Sequence, residues 1–326
     1  MSYLLVLGGL ALLVGGGEAL VRGAVALGLR LSVSPVFIGL TVVAIGTSAP
    51  EFTVAIQAVL IGSPDIAVGS VVGSNIANIL LILGATALIQ PISCQPRMVL
   101  RDGLFLVAIS FALAMLSLTG AVSTGQGLAM IALLGLYLAY CYWAETVRNA
   151  PSAELHAAEV DEYRGLPPTF VVAIPAILLG LAGVIAGADM LIDGATAIAR
   201  AAGVSEAAIG LSLVAVGTSL PELAVSLLAA YRGHAGVAVG NIIGSNIANI
   251  LLILGATAAL GGVPIADQIA RYDVWVMAAA AVLMVPVMIS GLRISRWEGV
   301  AFLAAYALYV LSLFTGFSGT VAGLAS

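Results

Sequence analysis

Two glutamates lie in stretches of chain that are otherwise almost entirely apolar. Glu51 closes the string Gly46-Thr47-Ser48-Ala49-Pro50-Glu51, and Glu222 closes its near copy Gly217-Thr218-Ser219-Leu220-Pro221-Glu222. A second string follows each, running from Gly69 through Ser74 to Asn78 and from Gly240 through Ser245 to Asn249. Residues 73–87 and 244–258 are identical over fifteen letters, and one offset of 171 aligns every pair. The donors are carboxylate, hydroxyl and amide oxygens, and no His, Cys or Met joins them. An all-oxygen set suits hard cations: Ca²⁺ takes roughly 6–8 oxygens at about 2.3–2.6 Å, and Na⁺ fits on the same ground, whereas Zn²⁺ and Cu⁺ do not. Two carboxylates neutralise one Ca²⁺ or two Na⁺, and a third Na⁺ leaves one net positive charge. Occupancy of one cage by either ion, never both, is the physical basis of antiport.

The backbone of these strings points the same way. Proline removes a donor and clashes with the carbonyl four residues earlier. Pro50 therefore frees the carbonyl of Gly46 and loosens those of Ala44 and Ile45, and Pro221 does the same around Gly217, Ala215 and Val216. In a bilayer a freed carbonyl or an ionised carboxylate is costly until something satisfies it, and a bound cation does so. Ser74 and Asn78 are four residues apart, as are Ser245 and Asn249, so hydroxyl and amide share a helical face. Asn75 and Asn246 point elsewhere, toward broken backbone. Gly69, Ser70, Gly73 and Gly244 are read equally well as packing positions.

The elements that must carry these residues follow from composition. The chain has 326 residues, 62% hydrophobic and 8% charged, against about 25% charged in a soluble domain. This is an integral membrane composition, and a net charge of −5 argues against nucleic-acid binding. Ten apolar stretches are long enough to cross a bilayer, near 3–28, 36–61, 66–90, 99–119, 124–147, 168–199, 207–230, 236–260, 272–291 and 297–316. The expected fold is all-α, ten transmembrane helices in two five-helix repeats: 1–147, an acidic cytoplasmic linker 148–167, and 168–326. All basic residues are Arg. Nine fall on odd-to-even connections and two, Arg200 and Arg271, on the other side, which puts both termini outside a plasma (inner) membrane. Five spans per repeat is odd, so the second copy enters inverted, an architecture of secondary transporters. Tyr137, Tyr140, Tyr142 and Trp143 read as an interfacial belt. Glu18 and Arg22 are spaced to pair within one helix turn; Asp189 and Asp193 read as structural too. Cys94 and Cys141 read as apolar filler, and His156 and His234 as loop residues.

The paired motifs resemble the α-repeats of the calcium/cation antiporter superfamily, specifically its Na⁺/Ca²⁺ exchanger branch. The resemblance covers all ten spans. It implies a central cluster of one Ca²⁺ site and several Na⁺ sites, with Glu51 and Glu222 as the Ca²⁺ carboxylates. It implies Thr47, Ser48, Ser74, Thr218, Ser219 and Ser245 as side-chain ligands, mainly for Na⁺, the backbone carbonyls of Ala44 and Ala215 as further ligands, and Asn78 and Asn249 at the centre. It also implies that spans one and six slide as a gating pair over the other eight. Some microbial members carry Asp where this chain has Asn249, and an added Asp marks the K⁺-dependent branch, so K⁺ cotransport is not expected. The short linker carries no regulatory domain.

The transported substrates expected are Ca²⁺ and Na⁺, exchanged electrogenically across the lipid bilayer. Two carboxylates close together in a dry site do not both ionise readily, so H⁺ competes with both cations. The alternative reading is an H⁺/Ca²⁺ antiporter, which the GTSxPE strings disfavour against the GN-x-x-E of that branch. A passive channel needs no inverted repeat. No nucleophile–base pair, HExxH or cofactor motif appears, so neither an enzyme nor a cofactor is expected, nor an obligatory protein partner.

Overall fold

The computed structural model describes residues 2–146, 166–202 and 217–315. Ala215, His156, most of the linker and the start of the expected seventh span lie outside the described residues. The chain is helical almost throughout: α1 (Ser2–Leu31), α2 (Pro35–Thr47), α3 (Ala49–Leu60), α4 (Pro64–Ile89), α5 (Val99–Ser117), α6 (Thr124–Thr146), α7 (Phe170–Ala201), α8 (Leu220–Tyr231), α9 (Ala235–Ala259), α10 (Ile269–Leu292) and α11 (Arg296–Phe314). Among the described residues eight helices are long and apolar enough to cross a membrane, and nine when α2 and α3 count as one broken span. The chain is an integral, multi-pass, all-helical membrane protein. Four two-residue strands cap helix connections: β1 (Ile92–Ser93), β2 (Ala121–Val122), β3 (Val263–Pro264) and β4 (Arg293–Ile294).

Two compact units divide the chain, and each draws on both copies of the repeat. The first holds residues 1–50 and 141–241, the second 51–140 and 242–326. The boundaries fall inside helices, at Pro50-Glu51 in α3, at Tyr140-Cys141 in α6 and at Asn241-Ile242 in α9.

In the first unit α1 and α7 pack antiparallel through glycines spaced seven apart, Gly9, Gly16 and Gly23 on one helix and Gly180, Gly187 and Gly194 on the other. A Cβ on Gly16 would stand 2.7 Å from the Val184 amide nitrogen, and one on Gly9 2.7 Å from the Gly187 carbonyl. The two backbones therefore meet directly, as small residues allow in membrane helices. Glu18 accepts from its helix neighbour Arg22 at 2.6 Å, as expected, and from Arg232 beyond α8 at 2.8 Å. Asp189 and Asp193 are exposed on α7 and make no ion pair among the described residues.

The second unit is packed differently. It supplies most of the largest fully buried side chains, including Ile76, Ile79, Ile82, Leu83, Leu106, Leu113, Ile242 and Ile247, where the first unit supplies Leu20 and Ile38. Two antiparallel ribbons fasten its connections. Ile92 and Ser93 pair with Ile294 and Arg293, and Ala121 and Val122 with Pro264 and Val263. The α4–α5 connection is thus tied to the α10–α11 connection, and the α5–α6 connection to the α9–α10 connection.

Two aspartates anchor this unit. Asp102 is fully buried, paired with Arg101 at 2.6 Å and accepting from the Tyr137 hydroxyl at 2.8 Å, while Asp273 accepts from Tyr309 at 3.0 Å. The two acids are separated by the repeat offset. Tyr137 is therefore not part of an interfacial belt: it is 5% exposed, because its hydroxyl serves a buried carboxylate and its ring stacks on Phe105. Tyr140, Tyr142 and Trp143 are exposed.

Candidate ion-binding site

Both repeated strings place a non-helical serine two residues before their proline. Ser48 has φ −81° and ψ 8° and ends α2, Ser219 has φ −91° and ψ 6° and precedes α8, and Pro50 and Pro221 stand in the first turn of the helix that follows each. Proline suits that position, where no helical N–H bond is lost. Each break also brings a Glu into a helix's first turn, where the backbone N–H groups favour negative charge. The Ala44 carbonyl is not bare: it accepts the Ser48 amide at 3.1 Å, which leaves it one lone pair.

The first unit gathers Ala44, Thr47, Ser48, Ser219 and Glu222, all buried, with Thr218 half-buried. Glu222 is 1% exposed. One of its oxygens accepts from the Ser48 hydroxyl at 2.9 Å, a bond from the first copy of the motif to the second. Its other oxygen, Oε2, has no hydrogen-bond partner among the described residues. A buried carboxylate oxygen in that state is costly unless something positive meets it. Thr47 donates to Asn241 Oδ1 at 3.2 Å, and Asn241 Nδ2 donates to Ser226 Oγ at 3.0 Å.

The second unit gathers Glu51, Ser74, Asn75, Asn78, Ser245, Asn246 and Asn249, all buried. Asn249 donates to Asn75 Oδ1 at 3.1 Å, again joining the copies, and Asn75 donates to Met277 Sδ at 3.4 Å. Asn78 Oδ1, Ser245 Oγ, Asn246 Oδ1 and Asn249 Oδ1 have no partner among the described residues. All four are neutral oxygens, of the kind that solvates a hard cation. Each Asn78 and Asn249 side chain stands at or beside a π-helical segment, Ala77–Leu83 or Asn249–Leu254; such segments recur at functional sites. Gly73 is not a packing position, since a Cβ there would meet nothing within 4 Å.

Sequence reasoning passed over Asn241 and Ser226. The signal was present: they stand where the copies differ, opposite Ser70 and Ala55.

Buried carboxylates amid hydroxyls and amides, in a bundle of apolar helices, define a membrane transporter of hard cations. The chain belongs to the sodium/calcium exchanger family, whose sequence profile matches residues 1–143 and 172–315. It is 37% identical to the putative antiporter CaxA of Alkalimonas amylolytica, over 97% of this chain and 99% of the relative. It is 33% identical to the sodium/calcium exchanger MaX1 of Methanosarcina acetivorans, over 96% and 99%. Among solved structures, the sodium-calcium exchanger NCX_Mj soaked with zero Na⁺ and Ca²⁺ superimposes with a TM-score of 0.82 at 33% identity, covering 96% of this chain and 98% of that one.

Proposed function

We propose that this protein is an electrogenic Na⁺/Ca²⁺ antiporter. The observation that carries the reading is Glu222, buried to 1% exposure, one oxygen on the Ser48 hydroxyl of the other motif copy and Oε2 without a partner among the described residues. Glu51 and Glu222 supply the charge that Ca²⁺ needs. Thr47, Ser48, Thr218, Ser219, Ser74 and Ser245 supply hydroxyls, Ala44 and Ala215 carbonyls, and Asn78 and Asn249 amide oxygens. The names of the relatives, a putative antiporter and two sodium/calcium exchangers, favour the same substrates.

The architecture we propose is ten spans in two inverted five-span repeats, with both termini on the outer side of the plasma (inner) membrane. The antiparallel α1 and α7 support it. So do the ribbons: β1 and β3 are repeat equivalents, yet they sit on connections that flank α5 and its neighbours at opposite ends, each tied to the other copy. We place the gating motion in spans one and six, whose glycine-to-glycine seam lets the pair travel together, over a frame made by the rest. H⁺ competes at the acidic centre.

Purified protein in sealed vesicles tests this. An outward Na⁺ gradient is expected to drive ⁴⁵Ca²⁺ uptake, and a clamped membrane potential to change its rate. Uptake driven by a pH gradient and indifferent to Na⁺ would replace the reading with H⁺/Ca²⁺ exchange; flux needing no counter-ion would replace it with a channel.

A further inference from the structure

A hydroxyl can coordinate a cation only through its lone pairs, so its proton must be donated elsewhere. For Thr47 two backbone and side-chain oxygens compete for that proton: Asn241 Oδ1 at 3.2 Å and the Ala44 carbonyl at 3.3 Å. The Ala44 carbonyl is an oxygen that the proposed cage needs. The Ala44 carbonyl has already given one lone pair to the Ser48 amide, so its second can go to an ion or to Thr47, not to both. Asn241 is the acceptor that keeps that carbonyl available.

The orientation of the Asn241 amide is fixed by its surroundings. Its nitrogen faces the Glu222 backbone carbonyl at 3.4 Å and Ser226 Oγ at 3.0 Å. Turning the amide over would set oxygen against that carbonyl, so the side-chain oxygen faces Thr47. Asn241, Ser226 and Thr47 are all 0% exposed, out of reach of bulk solvent. We infer that Asn241, held by Ser226, is a positioning residue that takes the Thr47 proton and so turns the Thr47 hydroxyl and the Ala44 carbonyl toward Na⁺.

The other copy lacks this arrangement in its sequence: Ser70 stands for Asn241 and Ala55 for Ser226. The two threonine ligands are therefore unequal, and the Na⁺ position served by Thr47 and Ala44 is the tighter of the two. The inference rests on the Na⁺/Ca²⁺ reading given above. It goes beyond it by assigning Na⁺ selectivity to a residue that touches no ion.

Vesicle exchange with Asn241→Ser, the residue of the other copy, tests it. Loss of one neutral hydrogen bond predicts a rise of about three- to tenfold in the Na⁺ concentration for half-maximal exchange. Ca²⁺/Ca²⁺ self-exchange, which uses no Na⁺, is expected to keep its Ca²⁺ dependence. Ser226→Ala is expected to give a smaller shift in the same direction. In a Thr47→Val background Asn241→Ser is expected to add nothing, because the hydroxyl it orients is gone. An unchanged Na⁺ dependence, equal losses for Na⁺ and Ca²⁺, or effects that multiply with Thr47→Val would each overturn the inference while leaving the antiporter standing. Exchange by the unaltered protein that ignores Na⁺ overturns the function and this inference together.

Discussion

The two compact units solve the same packing problem in opposite ways. The first brings α1 and α7 together with almost no side chain between them, glycine against backbone at heptad spacing. The second interlocks branched aliphatic side chains on α4, α5 and α9 and closes helix connections with ribbons. Glycine seams give close approach backbone to backbone, so the two helices can shift as one body. A core of Ile and Leu at native density resists any such shift. The difference teaches where motion is inexpensive and where it is not, and both units nonetheless present buried oxygens from both motif copies.

The largest effect should come from the carboxylates, which each unit supplies once. Glu222→Gln and Glu51→Gln are each expected to abolish Na⁺-driven ⁴⁵Ca²⁺ uptake while the protein still elutes as a single folded species. Retained exchange in both would mean the charge lies elsewhere. Next come the packing modes themselves. Gly16→Ala forces a methyl to within 2.7 Å of the Val184 nitrogen, and overpacking of this kind costs about 1–3 kcal/mol. Ile82→Val in the second unit removes one methyl and costs about 0.5–1.5 kcal/mol. Thermal unfolding in detergent should rank them in that order, and the reverse order would break the contrast between seam and core.

A finer comparison uses the identical phrases. Asn75 and Asn246 occupy the same position in the repeat, but Asn75 bonds Asn249 and Met277, whereas Asn246 donates back to the Ile242 carbonyl of its own helix at 2.6 Å. Asn75→Ala strands the buried Asn249 amide, a penalty of about 1–3 kcal/mol, and Asn246→Ala strands no other side chain. Equal losses of melting temperature would show that the copies are equivalent after all. The smallest effect expected is at Cys94, buried next to β1, whose thiol burial pushes up to about 12. It stays protonated through pH 9, so maleimide labelling of the folded protein should be negligible and should appear only on unfolding. Rapid labelling at pH 8 would mean that this end of the second unit opens readily.

Much of this was legible in the sequence because membrane helices declare themselves by length and because a duplicated polar string inside apolar chain has few physical explanations. The apolar spans, the acids and the pairing of Glu18 with Arg22 follow from local spacing. Sequence alone reads each proline as freeing carbonyls behind it, yet Pro50 and Pro221 stand in the first turn of the helix that follows Ser48 and Ser219. Proline's intrinsic preference for the first turn decided that, over its capacity to disrupt. Tyr137 was misplaced because its partner, Asp102, is 35 residues away, a distance no periodicity reports. Asn241 and Ser226 were missed since attention to what the copies share hides what they do not. The heptad of glycines was in plain view, but only the facing helix explains it.

The bonds from Ser48 to Glu222 and from Asn249 to Asn75 each span 174 residues. When the ribosome has finished the first five-helix stretch, Ser48 and Asn75 are already in the bilayer and their partners have not been made. The order of synthesis therefore leaves half of the polar interior waiting, shielded only by lipid, translocon or an insertase, until the second copy arrives to meet it. Each copy of the repeat therefore leaves buried polar groups whose partners lie in the other copy.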